Sequence, residues 1–337
     1  MKYPKFIQKG DIIAVTAPSQ GFTKKEQILE YENAIKNIKN MGFKFIETKN
    51  VRSNKKGRSS SASQRAKQFM QLWKNDDVKA IICAKGGDFA PEMLDYLNFD
   101  ILKQLQPKWI QGFSDNTNLG FVFTTNLDIA TVYGQNIRDY GMNKLHKTLT
   151  DSIELMKGKS VIQKSYGVYQ PNNYERNPFE SYNLCQKINW SSLNNEEKIH
   201  FFGRAIGGCF DVIVNLIGTK YDKIKEYIQK YKEDGIVWFF DIFEMSTPQV
   251  FCRLWQMKNS GYFENCSGII FGRPAYIRED YGLNLAENIK NAIGKLNVPI
   301  LLDCDIGHIA PQMPIINGAI IDVSYEKGKG MIKTFFK

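Results

Sequence analysis

Lys108-Trp109-Ile110-Gln111-Gly112-Phe113-Ser114-Asp115-Asn116-Thr117 is the stretch on which the fold turns. A short apolar run stops at Gly112-Phe113, a polar turn follows, and an apolar helical run begins behind it. That order predicts a buried strand, a tight turn at Ser114 and a helix. Upstream the same rhythm repeats. Val78-Lys79-Ala80-Ile81-Ile82-Cys83-Ala84 reads as a strand, and Gly86-Gly87 as the turn that ends it. Before it, Ser63 reads as the N-cap of a helix through Trp73, with Ala66, Phe69, Met70 and Trp73 on one face. Phe43 to Ile46 is a strand, Lys24 to Met41 a helix, and Asp11 to Pro18 the first strand and its turn. Strands alternating with helices predict a mostly parallel, Rossmann-like sheet covered by helices. Sites in such sheets form at the carboxyl ends of the strands, where the turns at Pro18, Gly87 and Ser114 all fall.

Beyond about Lys157 the pattern changes. Residues 158–198 are polar and aromatic with little periodicity, and read as an excursion between two domains, 1–157 and 199–337. From Ile199 short strands dominate: Phe201 to Ile206, Gly235 to Asp241 and Gly268 to Gly272, with helices around Phe210–Leu216, Thr247–Met257 and Leu283–Ala292. The tail reads as a hairpin turning at Gly328-Lys329-Gly330. The expected class is α/β: an N-terminal Rossmann-like parallel sheet, then a β-rich, barrel-like, mixed α/β domain.

The 337 residues suffice for two cores. The net charge of +10 comes from lysines dispersed among acids, with no nucleic-acid motif, so a solvated surface and no nucleic-acid partner are expected. No apolar run is long enough to span a membrane, and Gly10-Asp11 interrupts any leader-like stretch; a cytoplasmic protein without membrane partners is expected. The six cysteines are scattered without a Cys-x-x-Cys pair, which argues against disulfides and zinc.

Three residues at the ends of apolar runs suggest acyl-transfer chemistry. Ser114 sits in the strand-to-helix turn, where its hydroxyl is exposed and helix N-terminal amides are near. A serine needs a base, and only three histidines are present. His146 falls on a polar helix and His200 enters a strand. His308 follows Gly307 in the loop after Pro299-Ile300-Leu301-Leu302 and is the candidate base. Asp241, ending Gly235-Ile236-Val237-Trp238-Phe239-Phe240, is placed to orient an imidazole, with Glu244 as its rival. Lys85-Gly86-Gly87-Asp88 lacks the Gly-Lys-Ser/Thr of a phosphate loop, but its glycines suit a backbone that approaches a substrate oxygen.

The ordered set of Asp11–Pro18, Gly86-Gly87 with Leu94 and Tyr96 after it, Gly112-Phe113-Ser114-Asp115, Gly203-Arg204-Ala205-Ile206-Gly207-Gly208, Phe271-Gly272-Arg273-Pro274 and Gly307-His308 resembles the LD-carboxypeptidases of serine peptidase family S66 and their relatives, the microcin C self-immunity proteins. The resemblance runs almost end to end. It implies an active site between two domains, a Ser–Glu–His triad without metal or cofactor, and a homodimer. Carried over, the nucleophile is Ser114, the base His308, and the oxyanion hole the N–H groups of Gly87 and Asp115. The acid is Asp241 where the family has Glu, and Glu244 stays open. Implied substrates are a muropeptide tetrapeptide that loses its terminal D-amino acid, or a peptidyl-nucleotide toxin. The long segment before residue 199 carries Trp190, whose ring either stacks on a substrate base or fills the domain junction. A non-catalytic binding protein on the same scaffold is the reading from a different class.

Overall fold

The computed structural model describes residues 1–174 and 176–337, which divide into two compact units. The first gathers Met1–Lys159, a short insert ending at Tyr182, and Pro314–Ile316. The second gathers Ser160–Tyr174, Asn183–Met313 and Asn317–Lys337. The expected linker 158–198 is therefore shared between the units; residue 175 lies outside the described residues.

In the first unit the strands are β1 (Ile12–Thr16), β2 (Lys44–Glu47), β3 (Val78–Cys83), β4 (Trp109–Gly112) and β5 (Thr131–Tyr133). Helices α1 (Lys25–Asn40), α2 (Ala62–Lys74), α3 (Phe99–Gln104), α4 (Thr117–Leu127) and α5 (Lys147–Met156) accompany them. β1 pairs in parallel with β2 and β3, β3 with β4, and β4 with β5. The order β2-β1-β3-β4-β5 reverses direction between β1 and β3, the switch point at which doubly wound sheets open a crevice. α2 and α4 meet through a ring cluster: Phe69 lies 5.7 Å from Trp73, and Trp73 5.2 Å from Phe123. The cap of α2 is Ser61, which accepts from the Gln64 N–H, rather than Ser63.

The second unit holds β6 (Ile162–Lys164), β7 (Val168–Tyr169), β8 (Gln186–Lys187), β9 (Ser191–Ser192), β10 (Lys198–Cys209), β11 (Ile236–Asp241), β12 (Cys266–Gly272) and β13 (Ile300–Cys304). β14 (Ile315–Asn317) joins the first sheet beside β5, and β15 (Ile320–Glu326) and β16 (Lys329–Phe335) form the terminal hairpin. The second sheet runs β6-β16-β15-β10-β11-β12-β13-β9. Its middle is parallel, β10 to β11 to β12 to β13, because helices α6 (Phe210–Leu216), α7 (Ile224–Lys230), α8 (Thr247–Asn259) and α9 (Leu285–Ile293) provide the crossovers. β11 is buried at every position, so it reads as one apolar run instead of an alternation. Trp238 stacks on Phe240 at 5.4 Å, and its indole N–H donates to the Tyr262 carbonyl at 2.9 Å. Each such ring contributes on the order of 1.5–3 kcal/mol by burial. Among the described residues no helix is long and apolar enough to cross a membrane.

Candidate active site

In the first unit the turn after β4 has the geometry of a nucleophile elbow. Ser114 has φ +61°, a left-handed conformation that costs an L-residue about 1–2 kcal/mol. The strand-to-helix reversal requires it, and a strained non-glycine residue there points to function. Gly86 lies over this serine: a Cβ at Gly86 would stand 3.0 Å from Ser114 Oγ. Gly87 has φ +152°, and a Cβ there would fall 2.3 Å from Ser19 Oγ, so only glycine fits.

One carboxylate holds these turns in place. Asp115 is buried and accepts from Ser19 Oγ at 2.5 Å, the Ala90 N–H at 2.8 Å and Asn118 Nδ2 at 2.9 Å. It thereby joins the turns after β1, β3 and β4. Burial raises its pKa, and the hydrogen bonds from Ser19 and Ala90 oppose that rise. Asn116 adds a second tie, donating to the Lys85 carbonyl at 3.1 Å. Among the described residues, neither the Gly87 N–H nor the Asp115 N–H is donated to another group of the chain.

In the second unit the carboxyl ends of β11 and β13 bring an acid and an imidazole together. Asp241 ends β11 and is fully buried. Its Oδ2 lies 2.7 Å from His308 Nδ1, and its Oδ1 accepts the His308 backbone N–H at 3.2 Å. The backbone bond holds the loop on the carboxylate, and the short ring contact puts Nδ1, not Nε2, on the acid's side. Gly307 makes the approach possible. Its φ is +102°, and a Cβ would stand 2.1 Å from Asp241 Oδ1. An aspartate, one methylene shorter than glutamate, reaches the imidazole because this backbone passes so close. Phe243 flanks the ring on another side, with centroids 4.3 Å apart.

Glu244 is elsewhere. Its side chain is exposed, and its backbone N–H donates to Asp211 Oδ1 at 3.1 Å. Asp211 also accepts the Phe243 N–H at 2.9 Å and so holds the turn behind Asp241. Trp190 is 2% exposed and belongs to the second unit. Its indole N–H donates to Asp305 Oδ2 at 2.8 Å, and its ring fills the space above Gly330. Asp305, buried, also accepts from Arg273 Nη1 at 2.7 Å and the Tyr166 N–H at 3.1 Å, and so anchors the start of the loop that carries His308. The other histidines serve structure: His146 caps α5, and His200 pairs with Asp322 at 2.8 Å on the surface.

The supporting residues Ser19, Asp211, Asp305 and Phe243 escaped sequence reading. Gly272-Arg273 and Gly307 lie within the quoted motifs, but nothing in the spacing names their partners. Among the described residues no group of three or more His, Cys, Asp or Glu is placed to hold a metal ion.

Comparison with known proteins adds to this geometry. Residues 13–134 match the family model of the LD-carboxypeptidase N-terminal domain, and residues 202–323 that of the LD-carboxypeptidase C-terminal domain. A probable murein peptide carboxypeptidase of Bacillus subtilis (strain 168) is 21% identical over 94% of this chain and 89% of its own. The microcin C7 self-immunity protein MccF of Escherichia coli is 24% identical over 86% of this chain and 83% of its own. A solved structure of MccF in complex with aspartyl sulfamoyl adenosine superposes with a TM-score of 0.81 at 20% identity, covering 100% of this chain and 99% of that one.

Proposed function

We propose that this chain, which belongs to the LD-carboxypeptidase family of peptidases, is a serine hydrolase that removes the terminal residue of a small peptide by cutting one amide bond. The observation that carries the reading is the buried Asp241 on the His308 imidazole, 2.7 Å apart. A carboxylate held out of water against Nδ1 fixes the tautomer whose Nε2 accepts a proton. The strained Ser114 supports it from the other unit.

In this mechanism Ser114 Oγ attacks the amide carbon while His308 Nε2 takes its proton. The carbonyl oxygen becomes an oxyanion and binds the N–H groups of Gly87 and Asp115. His308 then gives the proton to the leaving amine. Water, deprotonated by the same histidine, releases the acyl group and restores Ser114. Asp241 stays ionised and stabilises the imidazolium. The enzyme uses neither metal nor cofactor, and works in the cytoplasm as a homodimer.

The substrate is a peptide ending in a D-amino acid, of the muropeptide tetrapeptide kind. The second reading is a peptidyl- or aminoacyl-nucleotide, supported by the likeness to MccF. The burial of Trp190 weighs against it, since this ring is the candidate for base stacking and is packed inside the second unit. Incubation with a muropeptide tetrapeptide and, separately, with an aminoacyl-sulfamoyl adenosine, read by mass spectrometry, tests the choice. Release of the terminal D-amino acid is expected; cleavage of the sulfamoyl adenosine alone refutes the preference, and turnover of neither refutes the proposed substrates.

A further inference from the structure

A lysine beside the elbow is unused by this mechanism. Lys85 follows β3 and immediately precedes Gly86, the residue that overlies Ser114. It is half-buried, and no carboxylate pairs with it among the described residues. Its carbonyl is fixed to the elbow by Asn116 Nδ2 at 3.1 Å.

Its surroundings repel it. Lys24, ahead of α1, and Arg138, after β5, both act on Lys85 as like charges. All three follow carboxyl ends of parallel strands, so the topology gathers them on one edge of the first sheet, the edge that carries Ser114. Glu30 is already bound to Arg138 Nε at 2.5 Å, and Asp139 to Arg176 at 2.9 Å. Burial depresses the Lys85 pKa first, and the two cations add to the effect. A partly desolvated ammonium among cations is unfavourable in the free protein, and an anion placed there relieves both costs.

Resting on the hydrolase reading of Ser114, we infer that Lys85 is the anchor for the substrate's terminal carboxylate, with Lys24 and Arg138 reinforcing the positive field. The position suits removal of a single terminal residue. One residue spans about 3.8 Å between Cα atoms, so an anchor for the end of the peptide must stand within a side chain's reach of the nucleophile. Lysine reaches by its flexible stem and binds a carboxylate through a charge-assisted hydrogen bond. The specificity thus comes from the turn that already covers the serine.

The test compares a peptide ending in a free D-alanine carboxylate with its carboxamide, on the wild type, Lys85→Met and Lys85→Arg. The wild type should favour the free acid by about 10–100-fold in kcat/KM, mostly through KM. Lys85→Met should lose that preference by raising KM for the acid, and Lys85→Arg should keep much of it. Fluorophosphonate labelling of Ser114, which needs no carboxylate, should persist in Lys85→Met and shows that the elbow is folded. An unaltered acid-to-amide preference in Lys85→Met overturns the assignment alone. Absence of both turnover and labelling in the wild type overturns the hydrolase reading, and this inference with it.

Discussion

The first unit presents Ser114 through its backbone, and the second presents His308 through a charge. At the elbow, a left-handed φ of +61° turns the serine outward, and glycines leave the space above it open. At the end of β11, a fully buried carboxylate receives the imidazole and the backbone N–H of the same residue. The difference suits the chemistry proposed for each group. A nucleophile needs access, which a sharp turn gives. A base needs one tautomer in one orientation, which only a directed acceptor gives. The two solutions should therefore respond oppositely to substitution.

The largest effect is expected on the charged side. Asp241→Asn should lower kcat by roughly four orders of magnitude, the scale seen when a triad acid becomes an amide, whereas Glu244→Gln should stay within about two-fold. Steady-state kinetics on both variants checks the contrast, and the reverse ranking would transfer the acid's role to Glu244. Next comes the close approach behind it. Gly307→Ala should destabilise the protein by about 1–3 kcal/mol, since both the φ of +102° and the carboxylate 2.1 Å from the new Cβ oppose a side chain. Urea melts measure this; a melt like the wild type's would mean that the loop has slack.

On the strained side the sign reverses. Ser114→Gly removes the nucleophile but frees the left-handed residue, so the inactive variant should gain up to about 1 kcal/mol of stability. A loss of stability would show that the serine hydroxyl, not the backbone, holds the turn. The smallest effect concerns pH. Lys108, ahead of β4, is buried with its ammonium on the carbonyls of Asn75 and Val78, and burial lowers its pKa to about 8. Between that value and the ordinary lysine pKa of about 10.4, the unfolded chain binds more protons than the folded one, so this group makes stability rise with pH in that window. Below about pH 8 both states are protonated and the contribution is flat. Melts at several alkaline pH values should show the rise in the wild type and not in Lys108→Met.

Sequence reading reached the first unit well because its strands are short apolar runs punctuated by glycine and proline. It reached the second less well for identifiable reasons. The expected strand Phe201 to Ile206 is longer at both ends, and β10 runs from Lys198 to Cys209. Glycine at 207 lets the Phe239 carbonyl approach, as a Cβ there would stand 1.9 Å from it. α7 was hidden in a lysine-rich stretch whose apolar residues, Ile224, Tyr227 and Ile228, are few. Ser114, Asp241 and His308 were legible because each ends an apolar run. Asp115 as a tether, and Asp305 beneath Trp190, were not, because a buried carboxylate is defined by partners distant in the chain. Asp305 and Trp190 are brought together across 115 positions.

Every proposal above depends on Ser114 acting as a nucleophile activated by His308 on Asp241, and this dependence can be tested. Its most direct test is intact-mass measurement after fluorophosphonate treatment of the wild type, Ser114→Ala and His308→Ala. One adduct is expected on the wild type, mapped to Ser114, none on Ser114→Ala, and labelling slowed by at least about a thousand-fold on His308→Ala. An unlabelled wild type, or an adduct that survives Ser114→Ala, would contradict it.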